Sequence, residues 1–158
     1  DAIKFVTQSE SDEEIKKIWD AGRSREVAYP LELLALPEAA ESVITALSKD
    51  YRLAIVTSRV REAVYEAPQL ARLKKYFSAT VSYQDTAHHK PHPEPLLLAV
   101  QKLGVKPEES VYIGDVRNDI TAAKAAGMKV IIFSSNQVDG ADARTSVFAE
   151  LPELIAAL

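Results

Sequence analysis

Short β-prone runs that alternate with amphipathic helical patterns constrain this chain more than any other feature. Arg52-Leu53-Ala54-Ile55-Val56, Ala79 to Tyr83, Ser110 to Ile113 and Lys129 to Phe133 read as strands. Between them, apolar residues recur at helical spacing: Ala40, Val43, Ile44 and Leu47, then Leu96, Leu97, Val100 and Leu103, then Ile120, Ala123 and Ala126. A short apolar run without polar alternation fits a strand covered on both faces, and helix-linked strands run parallel. The order predicts an α/β fold, a three-layer α/β/α sandwich around a mostly parallel sheet. In such open sheets, ligands bind beyond the carboxyl ends of the strands.

The 158 residues suffice for one domain, or one domain with a small appendage, and a 47% hydrophobic content fills a real core. The net charge of −4 comes without a basic block, so nucleic acid is not an expected partner. No cysteine is present, which excludes a disulfide framework, thiol catalysis and a thiolate zinc site. Apolar runs are short, as at Val130 to Phe133, so no spanning helix and no membrane partner is expected. Without a charged-then-apolar leader, the default is a soluble cytoplasmic protein, monomer or homodimer.

Punctuation along the chain sets the boundaries. Ile3-Lys4-Phe5-Val6 has the composition of a short strand. Ser11-Asp12-Glu13-Glu14 is a capping box opening a helix with Ile15, Ile18 and Trp19 on one face, meeting Gly22. Trp19 reads as packing. Arg23 to Leu36 has no period and reads as a connector, and a helix follows Pro37. The helical stretch after Ser58 runs to Leu73, with Pro68 as a break, and Tyr76 and Phe77 read as core anchors. Asp85 to Pro95 is a polar loop whose Pro93 suits a first helical turn, and Gly104 and Gly127 stop their helices. Ser134 to Thr145 reads as loop, Ser146 to Phe148 as a last short strand, and Leu151 to Leu158 as a closing helix.

The chemistry-bearing residues fall at strand ends. Val111-Tyr112-Ile113-Gly114-Asp115 runs an apolar strand into Gly-Asp, and Asp119 follows in the first turn of the next helix. Two hard oxygen ligands at one point suit Mg²⁺, which binds through a few carboxylates, water and substrate phosphate. The plainer alternative is a turn aspartate and a helix-capping aspartate. Thr57 follows another strand, and Lys90 lies in the loop after a third. His88, His89 and His92 lie close in sequence but without fixed spacing, and read as surface or substrate-rim residues rather than a metal cluster.

The ordered set Leu53-Ala54-Ile55-Val56-Thr57-Ser58, then Lys90-Pro91-His92-Pro93-Glu94-Pro95, then Gly114-Asp115-Val116-Arg117-Asn118-Asp119 resembles the second, third and fourth motifs of the haloacid dehalogenase-like hydrolase superfamily. Ala122 to Met128 continues the pattern of its phosphatase branch, which includes phosphoglycolate phosphatase-like enzymes. The resemblance runs from about Leu36 to Leu158. It implies a Rossmannoid core at 36–158 preceded, at 1–35, by the remnant of a helical cap and a connector. It implies a Mg²⁺-dependent phosphatase of a small phosphorylated metabolite, working through an aspartyl-phosphate intermediate. Phosphoryl transfer is then mostly positioning and electrostatic stabilisation. By that analogy Thr57 donates to a phosphoryl oxygen with Ser58 beside it, and Lys90 offsets charge. Asp115 binds Mg²⁺ directly, and Asp119 holds a metal-bound water or orients Lys90. A metal-independent 2-haloacid dehalogenase is a further alternative, but such members usually carry Ser-Asn where this chain has Gly114-Asp115, and Ser134-Ser135-Asn136 comes one strand too late to be that signature.

One departure matters. The nucleophile of the family lies in a first motif, Asp-x-Asp-x-Thr, and no Asp-x-Asp occurs here. Either the chain begins at Asp1 within the cap insertion, with Ser11 to Gly22 as the last cap helix and the first strand lost upstream, or Ile3 to Val6 is a degenerate first strand. In the second case Ser9 and Ser11 stand where the aspartates belong, and the protein is a catalytically inactive phosphate-binding relative. Truncation is the favoured expectation, since the capping-box helix and the Pro37 entry resemble the end of a cap.

Overall fold

The computed structural model describes residues 11–24 and 34–158. The chain divides into two compact units, Asp1–Leu34 and Ala35–Leu158. In the first, helix α1 (Asp12–Ser24) begins as its capping signal requires, with Glu14 N donating to Ser11 Oγ at 3.3 Å. It runs past Gly22 rather than stopping there. The Ile3–Val6 strand, Ser9 and most of the Arg23–Leu36 connector lie outside the described residues.

In the second unit, α2 (Ala40–Asp50) leads into β1 (Leu53–Val56), α3 (Pro68–Leu73) and β2 (Phe77–Val81). Next come α4 (Glu94–Leu103), β3 (Val111–Gly114), α5 (Arg117–Ala125), β4 (Lys129–Phe133), β5 (Ala143–Thr145) and α6 (Leu151–Ala156). Every pairing among the described strands is parallel: β1 with β2, β3 with β4, and β4 with β5. Side-chain alternation then sorts the helices into layers. Val130 and Ile132 point into a cluster with Leu96 of α4 and Ile120, Ala122 and Ala123 of α5. Ile131, one residue out of phase, packs instead with Val43 and Leu47 of α2 and Leu151 of α6. Because successive strand side chains face opposite ways, one strand joins two helical layers, which is the expected sandwich. No helix among the described residues is long and apolar enough to cross a membrane.

The sheet is not continuous. Among the described residues β1 and β2 form one sheet and β3-β4-β5 another, with no backbone ladder between β1 and β3. The strands that read as equally buried in the sequence therefore differ. Val130, Ile131 and Ile132 of β4 are wholly inaccessible, whereas every residue of β1 and β3 is half-buried. A strand flanked on both sides loses its edges to neighbours; one paired on a single side keeps an edge open. Helix α4 packs over both β1 and β2 and touches α5, and Val56 of β1 joins the α4–α5 cluster.

Several boundaries move, each for a local reason. Pro68 opens α3 as a first-turn residue instead of breaking a longer helix, since its missing amide costs nothing there. Strand β2 starts at Phe77 and ends at Val81, because Ser82 turns the chain. Asp85 Oδ2 accepts from Ser82 N at 2.7 Å and from Ser82 Oγ at 2.6 Å, closing a tight turn over Tyr83–Asp85. Tyr76 and Phe77 are half-buried, while Leu73 beside them is the fully buried anchor. The last strand is Ala143–Thr145, not Ser146–Phe148, where Thr145 Oγ1 accepts from Val147 N at 2.9 Å and turns the backbone away.

Asp85 also receives Arg61 Nη2 at 2.6 Å, so it ties the loop after β1 to the loop after β2. The Ser82 hydroxyl and amide, and then Arg61, hold its carboxyl down at about 2 from an ordinary 3.8. A depressed folded pKa contributes stability that is complete above the unfolded value and disappears as pH falls through the folded one. Between about pH 4 and pH 2, Asp85 should account for on the order of 2 kcal/mol of lost stability. Urea unfolding of Asp85→Asn across that range should give a shallower acid slope than the parent. Parallel slopes would show that Asp85 is not held this way.

Candidate functional site

A cluster of charge lies where β3 meets α5. Gly114 ends β3, and α5 folds back so closely that Asp119 lies against the glycine. A Cβ built on Gly114 would sit within 2.6 Å of Asp119 Cγ and Oδ2, and closer still to its Cβ. Only a residue without a side chain permits that approach. Asp119 Oδ2 then accepts from Asp115 N at 3.0 Å and Val116 N at 3.2 Å, satisfying amides that the start of α5 leaves unpaired. Asp119 thus caps the start of α5.

Its other oxygen does something further. Lys90 Nζ, delivered by the loop between β2 and α4, lies 2.7 Å from Asp119 Oδ1, and both side chains are largely buried, at 15% and 3% exposure. Tyr112 Oη accepts from Lys90 Nζ at 2.8 Å and donates to Asp119 Oδ1 at 3.4 Å, closing a triangle. Burial opposes the Lys90 charge, but Tyr112 and Asp119 outweigh it and keep the ammonium above its ordinary pKa. Burial likewise opposes charge on Asp119, yet Lys90 and the two amides hold its carboxyl below the usual range. Burial pushes the Tyr112 phenol up, so it is neutral at pH 7 and Asp119 is the charge partner of Lys90.

Asp115 is placed differently. It is exposed at the strand end, and none of the hydrogen bonds just described uses its carboxylate. Partial desolvation and the neighbouring Asp119 carboxylate push its pKa up, with Lys90 pulling the other way. A carboxylate whose charge is opposed by a second carboxylate fits a divalent cation, since the cation turns that repulsion into ligation. Asp115 offers an exposed carboxylate to such an ion, whereas both Asp119 oxygens are already engaged, one by two amides and the other by Lys90. Mg²⁺ accepts such a sparse donor set because it keeps several of its waters.

Thr57 and Ser58 follow β1. Thr57 N donates to Val81 O at 2.9 Å, and its Oγ1 accepts from Arg59 N at 3.1 Å, fixing the turn. Ser58 is exposed. Hydrogen bonds thus join Lys90, Asp119, Tyr112 and the Asp115 amide, while Thr57 is held by the Val81 carbonyl and the Arg59 amide. Tyr112 is the residue that sequence reasoning took only for strand filling. The available signal was its parity: it faces the α4–α5 layer between Val111 and Ile113, and a buried phenol needs a partner for its hydroxyl. Glu94 was passed over in the same way. Its Oε1 accepts from Ala87 N and its Oε2 from His88 N, each at 3.0 Å, which shapes the loop that carries Lys90.

Comparison with known proteins agrees with this geometry. The sequence model of the family described as haloacid dehalogenase-like hydrolase matches residues 1–133. Pyrophosphatase PpaX of Bacillus cereus (strain AH820) is 39% identical over 94 residues, 60% of this chain and 44% of that protein. Phosphoglycolate phosphatase of Escherichia coli (strain K12) is 37% identical over 91 residues, 58% of this chain and 36% of that protein. The chain therefore spans less than half the length of these curated relatives. A solved structure of CbbY from Rhodobacter sphaeroides in complex with phosphate superposes with a TM-score of 0.66 at 28% identity, covering 73% of this chain and 56% of that one.

Two substitutions probe the cluster. Gly114→Ala should lower stability by about 2 kcal/mol or more, because the added methyl displaces Asp119 from its amides and from Lys90. Tyr112→Phe should cost about 1 kcal/mol, the worth of its hydroxyl contacts. Urea denaturation measures both. A Gly114→Ala protein as stable as the parent would contradict the close approach.

Proposed function

The chain belongs to the haloacid dehalogenase-like hydrolase family, and on that premise we propose that it is the core of a Mg²⁺-dependent phosphatase acting on a small phosphorylated metabolite. The observation that carries the reading is the pairing of a buried, charged Lys90 with Asp119 beside an exposed Asp115 whose charge is opposed by burial and by Asp119. The relatives, a pyrophosphatase and a phosphoglycolate phosphatase, support the substrate class, as does the phosphate in the CbbY complex.

In this reading each residue has a distinct task. Asp115 would hold the metal, which when bound supplies positive charge against the phosphoryl oxygens. Lys90 places an ammonium at the same phosphoryl group, and its position is set by Asp119 and Tyr112 rather than by the substrate. That prior placement matters, because a donor already in position needs no reorganisation as charge develops. Thr57 Oγ1 and the exposed Ser58 donate to phosphoryl oxygens from the end of β1. By resemblance, residues 1–35 would belong to a helical cap, the part of such proteins that selects substrate.

A second reading rests on one sequence fact. An aspartyl-phosphate intermediate needs an attacking carboxylate, and these 158 residues contain no Asp-x-Asp pair. Phosphate binding without turnover is the function that this chain's own residues support without addition.

Calorimetry with Mg²⁺ and inorganic phosphate, joined to a phosphate-release assay, tests both. Asp115→Asn should weaken Mg²⁺ binding and leave the metal-free fold as stable as before, because it removes like-charge repulsion. Lys90→Ala should keep more of the metal affinity, lose phosphate affinity, and cost about 3 kcal/mol of stability, since it strands a buried carboxylate. Metal-dependent phosphate release by the full coding product supports the phosphatase, and binding without release in a protein shown to be complete supports the second reading. If Asp115→Asn bound Mg²⁺ like the parent, the metal assignment would be wrong.

A further inference from the structure

The loop that delivers Lys90 holds a second group of ligating side chains, which the phosphatase reading leaves unused. His88, His92 and Glu94 each place one donor atom within 4.8 Å of the others. His88 Nδ1 lies 2.6 Å from Glu94 Oε2, and the His88 and His92 rings stack with centroids 4.5 Å apart. Glu94 does not drift on the surface, because the Ala87 and His88 amides fix its two oxygens. The geometry points to a surface site for a borderline divalent cation of the Zn²⁺ type, held by His88, His92 and Glu94 on the Lys90 loop.

The donor chemistry selects the ion. Two imidazoles and a carboxylate suit Zn²⁺, Co²⁺ or Ni²⁺, with water completing the shell, whereas Mg²⁺ prefers oxygen donors alone. A proton now bridges His88 and Glu94; replacing it with a cation at about 2.1 Å from each donor opens their separation to roughly 3.3 Å, a small side-chain adjustment. His92 must give up the long 3.2 Å bond that its Nδ1 accepts from Glu94 N, which is a weak contact to lose. His88 is 66% exposed, so the ion has direct access from solution.

The placement has a consequence for the neighbouring site. Lys90 lies between His88 and His92 in sequence, so an ion bound by both ties the loop together on either side of the lysine. His89, the remaining histidine of the loop, faces elsewhere, stacked on Tyr83 with ring centroids 3.9 Å apart. It therefore serves as an internal control.

The test uses the metal-free 158-residue chain in excess Mg²⁺, which keeps Asp115 from competing. Co²⁺ titration followed by visible absorption should give one equivalent bound with micromolar affinity, and Zn²⁺ should displace it and raise the thermal midpoint. His92→Ala and Glu94→Gln should each weaken Co²⁺ binding about tenfold or more, while His89→Ala binds like the parent. Circular dichroism of each variant checks that it is folded. Binding no tighter than millimolar, displacement by Mg²⁺, or parent-like affinity in both His92→Ala and Glu94→Gln would overturn the site. These outcomes do not depend on phosphatase activity, so the two readings fail separately.

Discussion

The Asp119 carboxylate is the interaction on which the rest of the site depends. It accepts the Asp115 and Val116 amides on one oxygen and Lys90 on the other, with Tyr112 Oη alongside. Those partners come from the end of β3, the start of α5 and the loop after β2, so one side chain fixes three segments of backbone. A buried carboxylate is costly unless it is fully paired, and this one, at 2% exposure, is paired on both oxygens. The same demand makes Gly114 obligatory, since any side chain there would push the carboxylate off its amides.

This pairing separates two aspartates that are chemically identical. Asp119 is held charged by its partners and has become part of the protein's internal scaffold. Asp115, four residues earlier, faces solvent and feels Asp119 as a like charge, which favours its neutral form. One carboxylate is therefore an organiser and the other is left facing solvent. Electrostatics alone makes the difference, through who donates a hydrogen bond to whom.

The sheet that carries these loops is assembled from two parts. Strands β1–β2 and β3–β4–β5 are each internally parallel, and α4, packed on the first pair and touching α5, reaches both. Apolar burial rather than a backbone ladder holds the parts in one unit, with Val56, Leu96, Ile120 and Val130 in a common cluster. Among the described residues β1 and β3 are each paired on one side only, and their side chains are half-buried although their composition is that of interior strands. The loops after those two strands carry Thr57 and Asp115.

By itself the sequence determined the layer architecture, the parallel direction of the strands, the strand-end positions of Thr57 and Asp115, and the loop position of Lys90. These follow from local rules: residue periodicity chooses helix or strand, and helix-linked strands must run parallel. It also carried the family, because the order of three short motifs is a linear property. Tertiary structure alone supplied the contacts. Lys90 and Asp119 are 29 residues apart; the resemblance offered their pairing as one of two alternatives, and the fold brings Lys90 Nζ to 2.7 Å from Asp119 Oδ1. The hydroxyl of Tyr112, hidden in a run that reads as strand filling, took its function from the lysine folded against it. The loop from His88 to Glu94 has no regular period from which a ligand geometry could be read, and only its folded turn brings the three donors together. The break between β1 and β3 was likewise invisible, because pairing between strands is a relation among distant residues, whereas composition reports only on each strand alone.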